Sequence, residues 1–180
     1  MTPAFADPPA QSARAFRALM RAMARPATVH KLAGAPAPEG LSQAAAIALL
    51  TLADPTTPVH LAGPAARARG WLTFHTGAPA ARPADCAFAA GPWAELMPLS
   101  AYPVGTPDYP DRSATLIAEV AALEGEGPAL TGPGIEAETA MPLPAPDALR
   151  ANAALYPLGL DFVFTSGSRL AALPRSTRIG

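Results

Sequence analysis

The sequence holds four side chains suited to binding an anion, His75, Arg112, Ser113 and Arg175, spread widely along the chain. Arg175 belongs to Pro174-Arg175-Ser176-Thr177-Arg178, where two guanidinium groups flank two hydroxyls. A planar guanidinium matches the oxygens of a carboxylate or phosphate, so this tail could hold either. It equally suits a solvated end or the rim of an interface, and the rim is the reading we prefer. Arg112 and Ser113 close a polar stretch beginning at Gly105, in which Asp108 and Asp111 could do acid–base work if they met. Pro107 and Pro110, each beside an aspartate, also describe a rigid double turn leading into a strand, and that reading is favoured. His75 stands in Trp71-Leu72-Thr73-Phe74-His75-Thr76-Gly77, read as a strand opening into a loop, and a histidine hydrogen-bonded at a strand end is the simpler account. Convergence of the four on one concave pocket would describe a stand-alone binder or enzyme for a phosphorylated small molecule.

Other reactive groups are sparse. Cys86 is the one cysteine, which excludes an intramolecular disulfide and a cysteine-based zinc site. Its run Cys86-Ala87-Phe88-Ala89-Ala90 is apolar and Asp85 precedes it, a setting for a core residue and not for a nucleophile. Lys31 is the one lysine, so Schiff-base chemistry would have to use it, and nothing around it suggests a pocket. His30, His60 and His75 lie far apart, and no convergent metal ligands can be read. The phosphate-binding glycine loops, the helical zinc-protease pattern and the nucleophile elbow are all absent. Neither a metal nor a cofactor is expected.

The positioning elements follow from composition and periodicity. The chain has 180 residues, half of them hydrophobic, with a net charge of −1, which fits one domain over 1–180 with a sizeable core. Near-neutrality gives no general attraction to nucleic acid. The longest apolar stretch, around Ala44–Leu52, is far too short to span a bilayer. Met1-Thr2-Pro3-Ala4-Phe5 lacks the pattern of a secretion signal, and an unpaired cysteine suits a cytoplasmic location.

Asp7-Pro8 predicts a helix start and Arg25-Pro26 its end. Inside it Phe16, Leu19, Met20 and Met23 recur at helical spacing, opposite a stripe of Arg14, Arg17, Arg21 and Arg25. The stripe is a solvated face, a surface for a partner or anion, or part of a transit peptide. The capped start and sharp stop speak against the last. Leu41–Ala53, apolar nearly all round, predicts a buried helix. Short strands are expected at Ala27–Lys31, Pro58–Leu61, Trp71–His75, Cys86–Ala89 and Pro128–Thr131, and a longer one at Ser113–Val120, whose alanines leave a helical reading open. Asp147 is a candidate cap for a late helix, and Leu160–Thr165 with Arg169–Leu173 predicts a hairpin. Interspersed helices and strands with a late hairpin imply an α/β fold, a mixed sheet flanked by helices. Residues 113–149 contain no Lys or Arg and carry Glu119, Glu124, Glu126, Glu136, Glu138 and Asp147, an acidic stretch able to meet a partner or satisfy itself internally.

Five stretches, in order, carry a resemblance. They are Gln11–Arg17 running to Met23-Ala24-Arg25-Pro26, Phe74–Ala78, Tyr109–Leu116, Leu130–Ile135, and Tyr156–Asp161 continuing through Arg169–Thr177. Together they resemble the PhnH family of the phosphonate C–P lyase system over nearly the whole chain. The resemblance implies a fold like that of pyridoxal-phosphate-dependent transferases of the aspartate aminotransferase type, without the cofactor site. It implies a homodimer that joins C–P lyase subunits G, I and J in a core complex. With G, I and L, such a protein supports displacement of adenine from ATP by an alkylphosphonate, giving α-D-ribose 1-phosphonate 5-triphosphate. The nucleosidase-type chemistry is attributed to subunit I, so the resemblance brings no catalytic residue. Departures from the family pattern fall in Ala/Pro-rich segments around Gly77–Pro83 and Pro142–Pro146.

Overall fold

The computed structural model describes residues 2–180; Met1, the first residue of the segment judged for a secretion signal, lies outside them. Helix α1 (Pro8–Ala24) starts where expected: the Asp7 carboxylate accepts from the Ala10 amide, and proline in the first turn gives up no hydrogen bond. It ends at Arg25, ahead of Pro26. The face it buries differs from the amphipathic reading. Ala15, Leu19 and Ala22 form the buried line, whereas Phe16 and Met20 remain 46% and 55% exposed. Small residues bring α1 close to α2 (Gln43–Leu52), itself lined by Ala44, Ala45, Ala46 and Ala48, and so the large side chains are left on the flank. Helix α2 is apolar on every side and buried from Ala44 to Leu49, with the Ser42 hydroxyl capping it at Ala45.

A six-stranded sheet runs in the order β1-β8-β7-β4-β3-β2. Strands β2 (Val59–Leu61), β3 (Phe88–Pro92), β4 (Thr115–Glu119) and β7 (Asp161–Ser166) are parallel. Strand β8 (Arg169–Leu173) returns from β7 as the expected hairpin, and β1 (His30–Lys31) pairs antiparallel with it. The sheet is therefore mixed, and its alternation assigns the two cores. Ile117 and Val163 face α1, α2 and α3 (Arg69–Thr76), beside Ile47, Leu49 and Trp71. Leu116, Phe162 and Phe164 face the other way, toward Leu96, Leu130, Met141 and Leu149. There the two phenylalanine rings stack at 5.8 Å, with Trp93 6.0 Å and 6.1 Å from them. Over this second face lie α4 (Pro146–Ala153) and a small antiparallel sheet of β5 (Ala129–Thr131), β6 (Thr139–Ala140) and β9 (Arg178–Ile179).

Several expected elements are corrected. Trp71–His75 is helical, not a strand: α3 follows directly from a 3-10 turn at Gly63–Ala68 and stops at Gly77, whose φ is +72°. Burial of Trp71 and Leu72 against the helical layer overrides the strand preference of their types. Ala27–Lys31 shrinks to His30–Lys31, because Ala27 takes a left-handed φ of +64° and reverses the chain first. The strand placed at Cys86–Ala89 begins at Phe88 and runs on to Pro92. Asp147 does not cap α4; Ala145 holds that position, and Asp147 sits in the first turn, 2.7 Å from Arg150.

Candidate functional site

Arg175 follows β8 and Asp161 opens β7, so the hairpin brings them side by side. The Arg175 amide donates to Asp161 Oδ1 at 2.8 Å, and Nε lies 3.2 Å from both carboxylate oxygens. Nη1 donates to the Pro110 carbonyl at 2.6 Å, and Nη2 to Asp161 Oδ2 and the Ser113 hydroxyl. Most of the five guanidinium N–H groups are thus committed inside the protein. The arrangement fastens the Gly105–Ser113 loop to the β7–β8 hairpin.

Of the four anion candidates, the structure brings together Ser113 and Arg175. Arg112 turns away, its guanidinium carbon 3.9 Å from the centre of the Tyr109 ring, a cation–π contact. His75 stands near the end of α3, Nε2 3.2 Å from the Thr2 carbonyl, with Trp71 and Phe74 edge-on to its ring. Asp108 and Asp111 are exposed in the loop, which forms the expected double turn.

The arginine stripe of α1 is exposed throughout. Ion pairs among the described residues join Arg67 to Glu39, Arg82 to Asp85, Arg150 to Asp147, Arg169 to Glu124 and Arg175 to Asp161. None engages Arg14, Arg17, Arg21 or Arg25. Arg21 and Arg25, one helical turn apart, line a hollow of about 490 Å³ with Ala24, Thr28 and His30. Its far wall depends on Ala27, whose left-handed backbone costs roughly 1–2 kcal/mol in a residue with a Cβ. The reversal lays Thr28 against the helix end, where its hydroxyl donates to the Arg25 carbonyl at 2.6 Å. Thr28 Oγ1 is also 2.9 Å from His30 Nε2. With the hydroxyl proton on the carbonyl, His30 Nε2 carries the hydrogen of this second bond. Burial, and then the charge of Arg21, lower the pKa of His30 below its ordinary value. A neighbouring hollow of about 560 Å³ shares Arg25 and adds Gly134, Ile135 and Glu136. Gly134 is required there, since a Cβ would fall 2.0 Å from the Ala24 carbonyl oxygen. By sequence alone His30 reads as an isolated histidine near a strand. The signal that could have found it is its place four residues beyond the Pro26 stop of an arginine-striped helix.

On the opposite flank of α1, Phe16, Met20, Met23, Leu52, Phe88 and Val163 line an apolar groove of about 470 Å³. Cys86 is buried as expected, and burial pushes its thiol up to about 11. At the other end of the sheet the Glu119 carboxylate accepts from the Ser42 amide, so the positive end of α2 meets an anion of the chain itself. Lys31 is exposed on β1, opposite Arg169. Among the described residues no three His, Cys, Asp or Glu side chains are grouped to hold a metal, and no helix is long and apolar enough to cross a membrane.

Known proteins match most of the chain. A subunit named PhnH of alpha-D-ribose 1-methylphosphonate 5-triphosphate synthase, from Rhizobium meliloti (strain 1021), is 38% identical over 189 aligned residues, covering 98% of this chain and 94% of that protein. A protein of Stutzerimonas stutzeri named as C-P lyase subunit protein HtxG is 33% identical, covering 92% of this chain and 84% of its own. Residues 3–180 match the profile of the family described as bacterial phosphonate metabolism protein (PhnH). The chain belongs to the PhnH family.

Proposed function

We propose that this protein is an accessory subunit of the bacterial C–P lyase system, supporting formation of α-D-ribose 1-phosphonate 5-triphosphate from ATP and an alkylphosphonate. The carrying observation is the match, nearly complete on both chains, to a protein named as a subunit of such a synthase. Its expected partners are a second copy of itself and subunits G, I and J, in the cytoplasm. Two surfaces support an assembly role. The apolar groove beside Phe16 and Met20 is open in the single chain, and the arginine stripe of α1 lacks carboxylate partners among the described residues. Exposed apolar area of this kind is typical of obligate interfaces.

The assembly reading is favoured over a stand-alone binder built on His75, Arg112, Ser113 and Arg175. Arg175 and Ser113 are bonded to each other, while Arg112 and His75 engage different neighbours. Kinship with pyridoxal-phosphate-dependent transferases stripped of their cofactor site is supported by the mixed sheet between helices, together with the exposed position of Lys31. One folding unit over 1–180 is supported by the shared sheet beneath both cores.

Native mass spectrometry, on the chain alone and after co-expression with subunits G, I and J, tests the reading. A dimer that enters a stoichiometric complex is expected. A species that ignores all three partners would refute it.

A further inference from the structure

We propose that the hollow at the C-terminal end of α1 is an oxyanion site, in which Arg21, Arg25, Thr28 and His30 hold the phosphonyl or phosphoryl group of a small molecule. Two guanidiniums four residues apart, Arg21 in the last turn of α1 and Arg25 at its C-cap, line a single cavity. Five arginines of the chain find carboxylates; Arg21 and Arg25, like Arg14, Arg17, Arg69, Arg112 and Arg178, have none within 4.0 Å among the described residues and so keep their charge available. The end of the helix opposes an anion with about half a negative charge, which the two full positive charges outweigh.

The opposite wall is polar and held in place. The strained reversal at Ala27 brings Thr28 and His30 back over the helix end, against the ordinary preference of an alanine. Because the Thr28 hydroxyl donates to the Arg25 carbonyl, it accepts from His30 Nε2 and fixes the ring, leaving Nδ1 uncommitted. An anion beside the ring favours its protonated form, in which Nδ1 becomes a further charged donor. No carboxylate is among the residues lining this hollow; Glu136 lines the adjoining depression, which shares Arg25. A cavity of about 490 Å³ has the size of a small-molecule site and exceeds what one tetrahedral oxyanion needs, so the rest of the ligand has room. A phosphonate and a phosphate share this recognition chemistry.

The inference goes beyond the subunit reading, because it concerns the chain by itself. The test uses the full chain, with inorganic phosphate, methylphosphonate and ATP as separate probes in calorimetry and in amide NMR. Saturable binding of at least one probe is expected, with shifts centred on Arg21, Arg25 and the Thr28–His30 segment. Tighter binding of methylphosphonate would assign the site to a phosphonate, and tighter binding of ATP to a nucleotide triphosphate. Arg21→Ala with Arg25→Ala should weaken binding at least about tenfold, whereas Arg67→Ala with Arg82→Ala, an equal change of charge elsewhere, should leave it unaltered. Equal losses in both double variants would reduce the effect to net charge and overturn the site. No saturable binding of any probe up to about 10 mM, beyond the range of even a weak site, would also overturn it. Because the chain is titrated alone, failure to enter a complex with G, I and J bears on the subunit reading only.

Discussion

Asp161 and Arg175 are joined across the β7–β8 hairpin, both about 15% exposed at the side chain, and the same guanidinium reaches the Pro110 carbonyl. One ion pair thereby ties a loop, the start of a strand and the end of the next. Removing one partner strands the other charge in a largely dry setting, a far larger penalty than the loss of an exposed pair.

Arg175→Ala should therefore cost about 3 kcal/mol in urea unfolding, the low end for a buried pair because some solvent remains. Arg175→Lys should recover only part, since an ammonium cannot serve the carboxylate, the carbonyl and the hydroxyl together. A loss no larger than that of Arg67→Ala, whose pair with Glu39 is exposed, would show that Arg175 fastens nothing.

Alkaline stability should follow Cys86 and Tyr102. Burial raises the thiol from 9.0 to about 11 and the phenol from 10.0 to about 12, with the charge of Cys86 adding to the latter. Each group holds its proton more tightly folded than unfolded, so its contribution is complete below the unfolded pKa. It is lost as pH rises through about 9 to 11 for Cys86 and 10 to 12 for Tyr102. The urea midpoint should drop between pH 8 and pH 11, and less steeply in Cys86→Ala. Iodoacetamide at pH 8 should label Cys86 quickly only after unfolding. Rapid labelling of the native protein would contradict the buried thiol.

Two glycines should respond oppositely to alanine. At Gly134 the new Cβ would meet the Ala24 carbonyl oxygen at 2.0 Å with φ at +83°, so the loop against α1 must shift and thermal stability must fall. Gly70 lies within α3, where an added methyl would find nothing within 4 Å, and Gly70→Ala should stabilise by roughly 0.5–1 kcal/mol. Thermal melts of the pair decide it, and a destabilised Gly70→Ala would count against the helical assignment of α3.

Assembly should depend on the two flanks of α1 separately. Phe16→Ser with Met20→Ser should shift a dimer toward monomer in sedimentation while leaving the melting temperature nearly unchanged, because both side chains are about half exposed in the single chain. Arg14→Glu with Arg17→Glu should instead reduce capture by subunits G, I and J. A dimer and a complex that survive both changes would move the contacts away from this helix.

Local signals in the sequence are enough for α1, α2, the turn before β4 and the β7–β8 hairpin. Caps, prolines and unbroken apolar periodicity act within a few residues, and nothing distant opposes them. The five ordered motifs likewise carry the family without any knowledge of the fold. The tertiary structure decides what those elements bury. Alanine lines on α1 and α2 allow close packing, which leaves Phe16 and Met20 outside although periodicity assigns them inward. Packing against the helical layer makes Trp71–His75 a helix against its strand-forming composition. Only the folded chain could show that Arg175 and Ser113 serve each other while Arg21 and Arg25 share a hollow with His30. Charge and type are local properties of a residue, but its partners come from parts of the chain that folding alone brings near.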